Sequence, residues 1–111
     1  MIVNQNIMNK NFCGSFWFEK TINGNLIGEF SNTDSTTINT ESAQKIVPDS
    51  KFDGDYISTW FDIVLCKADL KIRNTNGQKF TFDWKAVGGI NYEEEGFLSS
   101  ENRIIGFYRK T

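Results

Sequence analysis

Glu94 is the residue whose type and setting point most directly to chemistry. It is the middle of Glu93-Glu94-Glu95, and an extended chain alternates its side chains, so Glu94 must face away from its two neighbours. A carboxylate turned into a core needs a hydrogen-bonding partner or a raised pKa. A Tyr hydroxyl or an internal Lys such as Lys20 would serve, and so would a cation or hydroxyl on a ligand. With a Tyr hydroxyl beside it, Glu94 could also act as a general acid or base. Set at a solvated rim, or satisfied by Tyr108 alone, it would do none of this.

The rest of the inventory narrows the chemistry. The chain has no His, which removes Ser-His-Asp and Cys-His nucleophilic systems, imidazole bases and the commonest zinc ligand. Consecutive acidic residues on a strand do not converge on one ion, and no EF-hand spacing occurs, so neither a metal nor another cofactor is expected. Cys13 and Cys66 are too few for a disulfide framework and too far apart for a metal knuckle, although a single bridge between them stays open. A non-catalytic role is expected ahead of an enzymatic one built on Glu94.

The elements that must position these residues read as strands. From Gln78 to Thr111 three alternating runs, Gln78 to Ala86, Ile90 to Ser99 and Arg103 to Lys110, are separated by Val87-Gly88-Gly89 and Ser100-Glu101-Asn102. Upstream, Phe12 to Thr21, the Ile22-Asn23-Gly24 turn and the run NLIGEFSN form a hairpin, because Asn-Gly supplies the positive φ of a tight turn. Residues 32–55 are polar and loop-like, with short strands expected at Thr36 to Thr40 and Lys45 to Val47. Tyr56 to Asp62 and Lys67 to Asn74 alternate. Within residues 60–66 the run Ile63-Val64-Leu65-Cys66 is apolar on both faces and leaves strand, bend and helical turn open. The fold class is all-β: one antiparallel up-and-down meander of about eight strands in a small closed or nearly closed barrel. Residues 1–10 are expected to be a flexible arm and residues 11–111 a single barrel domain.

A register follows if Gly24, Gly77, Gly89 and Asn102 each take the third position of a three-residue loop. Phe16 then faces Phe30, Phe18 faces Gly28, Leu70 faces Phe82, and Ala68 faces Trp84. Trp84 faces Tyr92, Phe82 faces Glu94, Glu94 faces Tyr108, and Gly96 faces Gly106. Every inward pair is even with even, and the odd partners, Asp69 with Asp83 and Lys67 with Lys85 among them, go to water. The even face gathers Tyr56, Trp60, Phe82, Trp84, Tyr92, Glu94 and Tyr108 as candidate ligand-binding residues. The glycines among them leave room for a cavity or for rings that simply pack.

The odd face has its own anomaly. Ile104 to Tyr108 is apolar on both sides, which puts Ile105 and Phe107 outside with Phe97, beside Trp17 and Ile27 of the first hairpin. Outer apolar clusters usually meet another subunit or a covering segment. Trp17, Ile27, Phe97, Ile105 and Phe107 are therefore the expected interface of a homo-oligomer, unless the amino-terminal arm lies across them.

Gly14-Ser15-Phe16-Trp17 opening an aromatic-rich meander resembles the calycin group of avidin, lipocalin and fatty-acid-binding barrels. The likeness is one of architecture. The group's opening Gly-x-Trp is spaced differently here, with Phe16 at the expected Trp position, and the avidin closing signature is absent. The resemblance implies a ligand at one barrel end and, in avidin-like cases, assembly through barrel walls.

A net charge of -2 with scattered lysines leaves no basic footprint for nucleic acid or an anionic membrane. No run approaches the roughly 20 apolar residues of a membrane-spanning helix, and Met1 to Lys10 lacks the apolar core of a secretion signal. A cytoplasmic location with reduced thiols is expected, although a secreted chain stripped of its signal would read the same. Three functions follow in order: a binding barrel for a small aromatic or hydroxylated ligand, sugars included; an assembly module working from its outer surface; and a small enzyme using Glu94.

Overall fold

A computed structural model of the chain describes residues 14–32, 37–62, 64–86 and 91–108; the arm expected at residues 1–10, Phe12 and Cys13 lie outside the described residues. Eight strands follow one another: β1 Gly14–Lys20, β2 Leu26–Asn32, β3 Asn39–Lys45, β4 Gly54–Asp62, β5 Val64–Asn76, β6 Lys79–Ala86, β7 Asn91–Ser100 and β8 Arg103–Tyr108. Each pairs antiparallel with its chain neighbours, and β1 closes on β8, so the sheet is a closed barrel. Closure removes both edges, and with them any unpaired ladder that could recruit another strand.

Alternation sets the two faces. In β6 the sequence KFTFDWKA buries Phe80, Phe82 and Trp84 and turns Thr81, Asp83 and Lys85 outward. The even-facing core runs through Phe16, Phe18, Leu26, Phe30, Tyr56, Trp60, Leu70, Ile72 and Ile104. Three ladders take the expected register: Phe16 opposes Phe30, Trp84 opposes Tyr92, and Gly96 opposes Gly106. Gly24, at φ 87, occupies the expected turn position, and the Gly24 N–H closes on the Thr21 carbonyl at 3.0 Å.

The fourth ladder is offset by two residues. Leu70 opposes Trp84 and Ala68 opposes Ala86, instead of Leu70 with Phe82 and Ala68 with Trp84. The cause is the turn: Asn76 pairs with Lys79 across Gly77-Gln78, and an irregularity between Asn74 and Asn76 absorbs the difference. An even slip keeps the inner face intact and improves the outer one. Asp69 now opposes Lys85 and Lys71 opposes Asp83, where the expected register set like charges against each other.

Strand β3 departs further. Its inward residues are odd-numbered, Glu41, Ala43 and Lys45, because Leu26 pairs with Ala43 and Glu41 with Trp60. The expected strand over Lys45 to Val47 is the end of β3 followed by exposed Ile46 and Val47. Residues 60–62 and 64–66 are strand, with Phe61 directly opposite Leu65, so the helical-turn reading fails on both sides of residue 63.

Candidate functional site

Rings fill the middle of the barrel. Phe16 meets Phe82 edge-on at 5.0 Å and Trp84 at 5.5 Å between centroids, and Phe82 stacks on Trp84 at 5.6 Å. The glycines provide the space for this packing. A Cβ on Gly106 would lie 2.1 Å from the Phe16 ring, and one on Gly96 would lie 2.7 Å from Ile104.

One barrel end is plugged by the β3–β4 connection, residues 46–53. Phe52 is buried there against Phe80 at 5.8 Å, and its carbonyl accepts the Tyr56 hydroxyl at 2.6 Å. Lys45, 4% exposed, sends its ammonium to Asp49 at 2.6 Å and to the Lys51 carbonyl. The Lys45 ammonium, then the Lys51 N–H, hold the Asp49 carboxyl below its usual range. Lys20 caps Phe52 from above its ring and donates to the Ser50 carbonyl, so it is a peg in the plug and does not face Glu94.

The core carboxylate is Glu41. It is 3% exposed and accepts both the Trp84 indole N–H, at 2.9 Å, and the Ser58 hydroxyl. Nothing in NTESAQK marks it, since that strand has one apolar residue to reveal which face is inside. Glu94 keeps the inward register opposite Phe82 but is only half-buried. It borders a groove of about 360 Å³ that also touches Lys71, Arg73, Thr81, Asp83, Glu93 and Glu95.

Of the other candidate ligand-binding residues, Tyr56, Trp60, Phe82 and Trp84 belong to the buried core. Tyr92 is half-buried and packs against it, beside Cys66, towards the end away from the plug. Tyr108 is placed by its backbone pairing with Gly14, and its side chain lies outside the described residues. Burial raises both described phenols. Tyr92 is pushed up to about 12, with Cys66 adding to the effect. Tyr56 moves well above its usual value, reinforced by Asp49 and Asp53. Among the described residues no group of acidic residues and cysteines has the arrangement of a metal site.

The five interface candidates are brought together. Trp17 is directly opposite Ile105, which is opposite Phe97, and Ser15 is opposite Phe107. Ile27, Phe97, Ile105 and Phe107 are exposed, and Trp17 is half-buried. The Trp17 indole donates to Glu29 at 3.2 Å, and the Arg103 guanidinium lies over the Trp17 ring at 4.3 Å while pairing with Glu19 at 3.4 Å. Past Trp17 the wall dips into a groove of about 500 Å³, with Trp17 and Ile27 on one rim and Phe61 and Leu65 on the other. Thr40, Ser42 and Thr59 also line it. Phe61 and Leu65 were missed as surface features, although both are odd-numbered and so outward by the same alternation that exposes Trp17.

Comparison of the chain with family models, with curated proteins and with solved structures finds no match. The closed eight-stranded barrel is consistent with a calycin-like architecture, and no family or fold neighbour accompanies it.

Proposed function

We propose that this barrel is a non-catalytic assembly module whose seam across β7, β8, β1 and β2 docks a second copy of the chain. The observation that carries the reading is the contiguous exposure of Phe97, Ile105, Phe107 and Ile27 around Trp17, an apolar surface of the kind that marks interaction sites. Its charges also suit a like partner. Glu29 is bonded to Trp17, and Glu19 to Arg103, so two such walls meet without isolated like charges. The test is sedimentation of wild type and Phe107→Asp, with circular dichroism to confirm the fold. A dimer reduced to a folded monomer is expected; a variant that associates as wild type does would overturn the reading.

A second reading keeps the calycin-like role, a small aromatic or hydroxylated ligand held inside the barrel. It is favoured by half-buried Tyr92 and Cys66, which pack against the core at the end opposite the plug. Quenching of tryptophan fluorescence by such a ligand, lost in Tyr92→Ala, would support it. Unchanged fluorescence across a panel of such ligands would count against it.

A further inference from the structure

We propose that the outer groove over β2, β3 and β4 is a saccharide subsite, taking an uncharged sugar ring between aromatic walls and a floor of hydroxyls. Its volume, about 500 Å³, falls in the range of small-molecule sites. The far rim is a pair of opposed side chains, Phe61 and Leu65, at 60% and 71% exposure. Such exposure is costly in water and is relieved by an apolar ligand face. Between the rims the groove is polar, lined by Thr40, Ser42 and Thr59 and by the acidic residue Glu41. Ser42 and Thr59 face each other across the ladder with their hydroxyls 3.1 Å apart, and Thr40 is two residues along the same face.

A hydroxyl has one donor and two acceptor positions, so one shared bond leaves Ser42 and Thr59 with capacity for a ligand. Glu29, on the near rim, adds a carboxylate that accepts hydrogen bonds. No Lys or Arg is among the lining residues, so the groove has no cation to offer an anionic ligand. A sugar ring matches this division, with C–H groups on its flat faces and hydroxyls around its edge. The proposal stands apart from the seam reading. The two surfaces share Trp17 and Ile27, but Phe61, Leu65 and the hydroxyl floor belong to the groove alone.

The test is amide chemical-shift mapping of the intact protein with maltotriose, cellotriose and chitotriose, each carried to millimolar concentration, for wild type and Phe61→Ala. Phe61 is exposed, so its truncation leaves the core untouched. Saturable shifts at Thr40, Ser42 and Thr59 with at least one sugar are expected, weakened about tenfold by Phe61→Ala, with sedimentation unchanged. Three results would overturn the proposal: no saturable shift with any of the three sugars, shifts centred on Tyr92 and Cys66, or loss of self-association in Phe61→Ala. The last would give the groove to a second copy.

Discussion

The outer surface of the barrel has two walls of opposite character. From the middle of β5 through β6 to the first half of β7 the outward positions include Lys67, Asp69, Lys71, Arg73, Lys79, Asp83, Lys85, Glu93 and Glu95, with Asp69 opposite Lys85, Lys71 opposite Asp83, and Lys79 bridged to Glu95 at 3.0 Å. From Phe97 on β7 through β8 and β1 to β2 the same geometry presents Phe97, Phe107, Ile105, Trp17 and Ile27, and among the described residues its charges Glu19, Glu29 and Arg103 have partners. Both walls cover the same core, so folding alone does not call for the difference. A charged, alternating wall is what water requires. A wall of exposed rings with its few charges already paired is suited to a partner.

Three substitutions probe that division, beginning with the core that both walls share. Glu41→Ala leaves the buried Trp84 N–H and the Ser58 hydroxyl without their acceptor, and is expected to cost about 3 kcal/mol of unfolding free energy in urea with no change in association among molecules that remain folded. A loss below about 1 kcal/mol would mean that this cluster does not hold the barrel. On the charged wall, Lys71→Glu sets two acids opposite each other at Asp83. It should lower stability by about 0.5 kcal/mol, an effect that fades in high salt, and leave association alone. A change in oligomer state from Lys71→Glu would erase the distinction between the walls.

The smallest effect concerns pH. Tyr92 is held up at about 12 inside the barrel, against roughly 10 for an unfolded phenol. Its neutral form is therefore favoured by the fold. That stabilisation is complete below pH about 10 and is lost as pH rises towards 12. Melting temperatures of wild type and Tyr92→Phe across this window should converge in slope only if Tyr92 does not titrate; the variant is expected to fall less steeply. Asp49 works at the opposite limit. Its lowered pKa stabilises the plug above the usual carboxylate range and ceases to do so as pH falls through its own value.

Much of this was legible from period and turns alone. The even face, three of the registers and the outward set around Trp17 needed only alternation and the positions of Gly24, Gly89 and Asn102 in the sequence. The failures have local causes. Gly77 was correctly a positive-φ turn residue, but Gly77-Gln78 forms a two-residue loop, and the charges already favoured that answer by pairing Asp69 with Lys85. Strand β3 carries too little apolar signal for its face to be read, so neither its change of parity nor the inward placing of Glu41 shows in the sequence. Phe61 and Leu65 were obscured because residues 60–66 are apolar without a clear period until Phe61 is seen opposite Leu65.

The central claim is that the wall of exposed rings around Trp17 exists to be covered by a second copy. Sedimentation velocity of the unmodified protein over a wide dilution series tests it without any substitution. The account predicts a reversible shift from dimer to monomer on dilution, little affected by salt. A single species at monomer mass across the whole series, including the most concentrated sample, would contradict it.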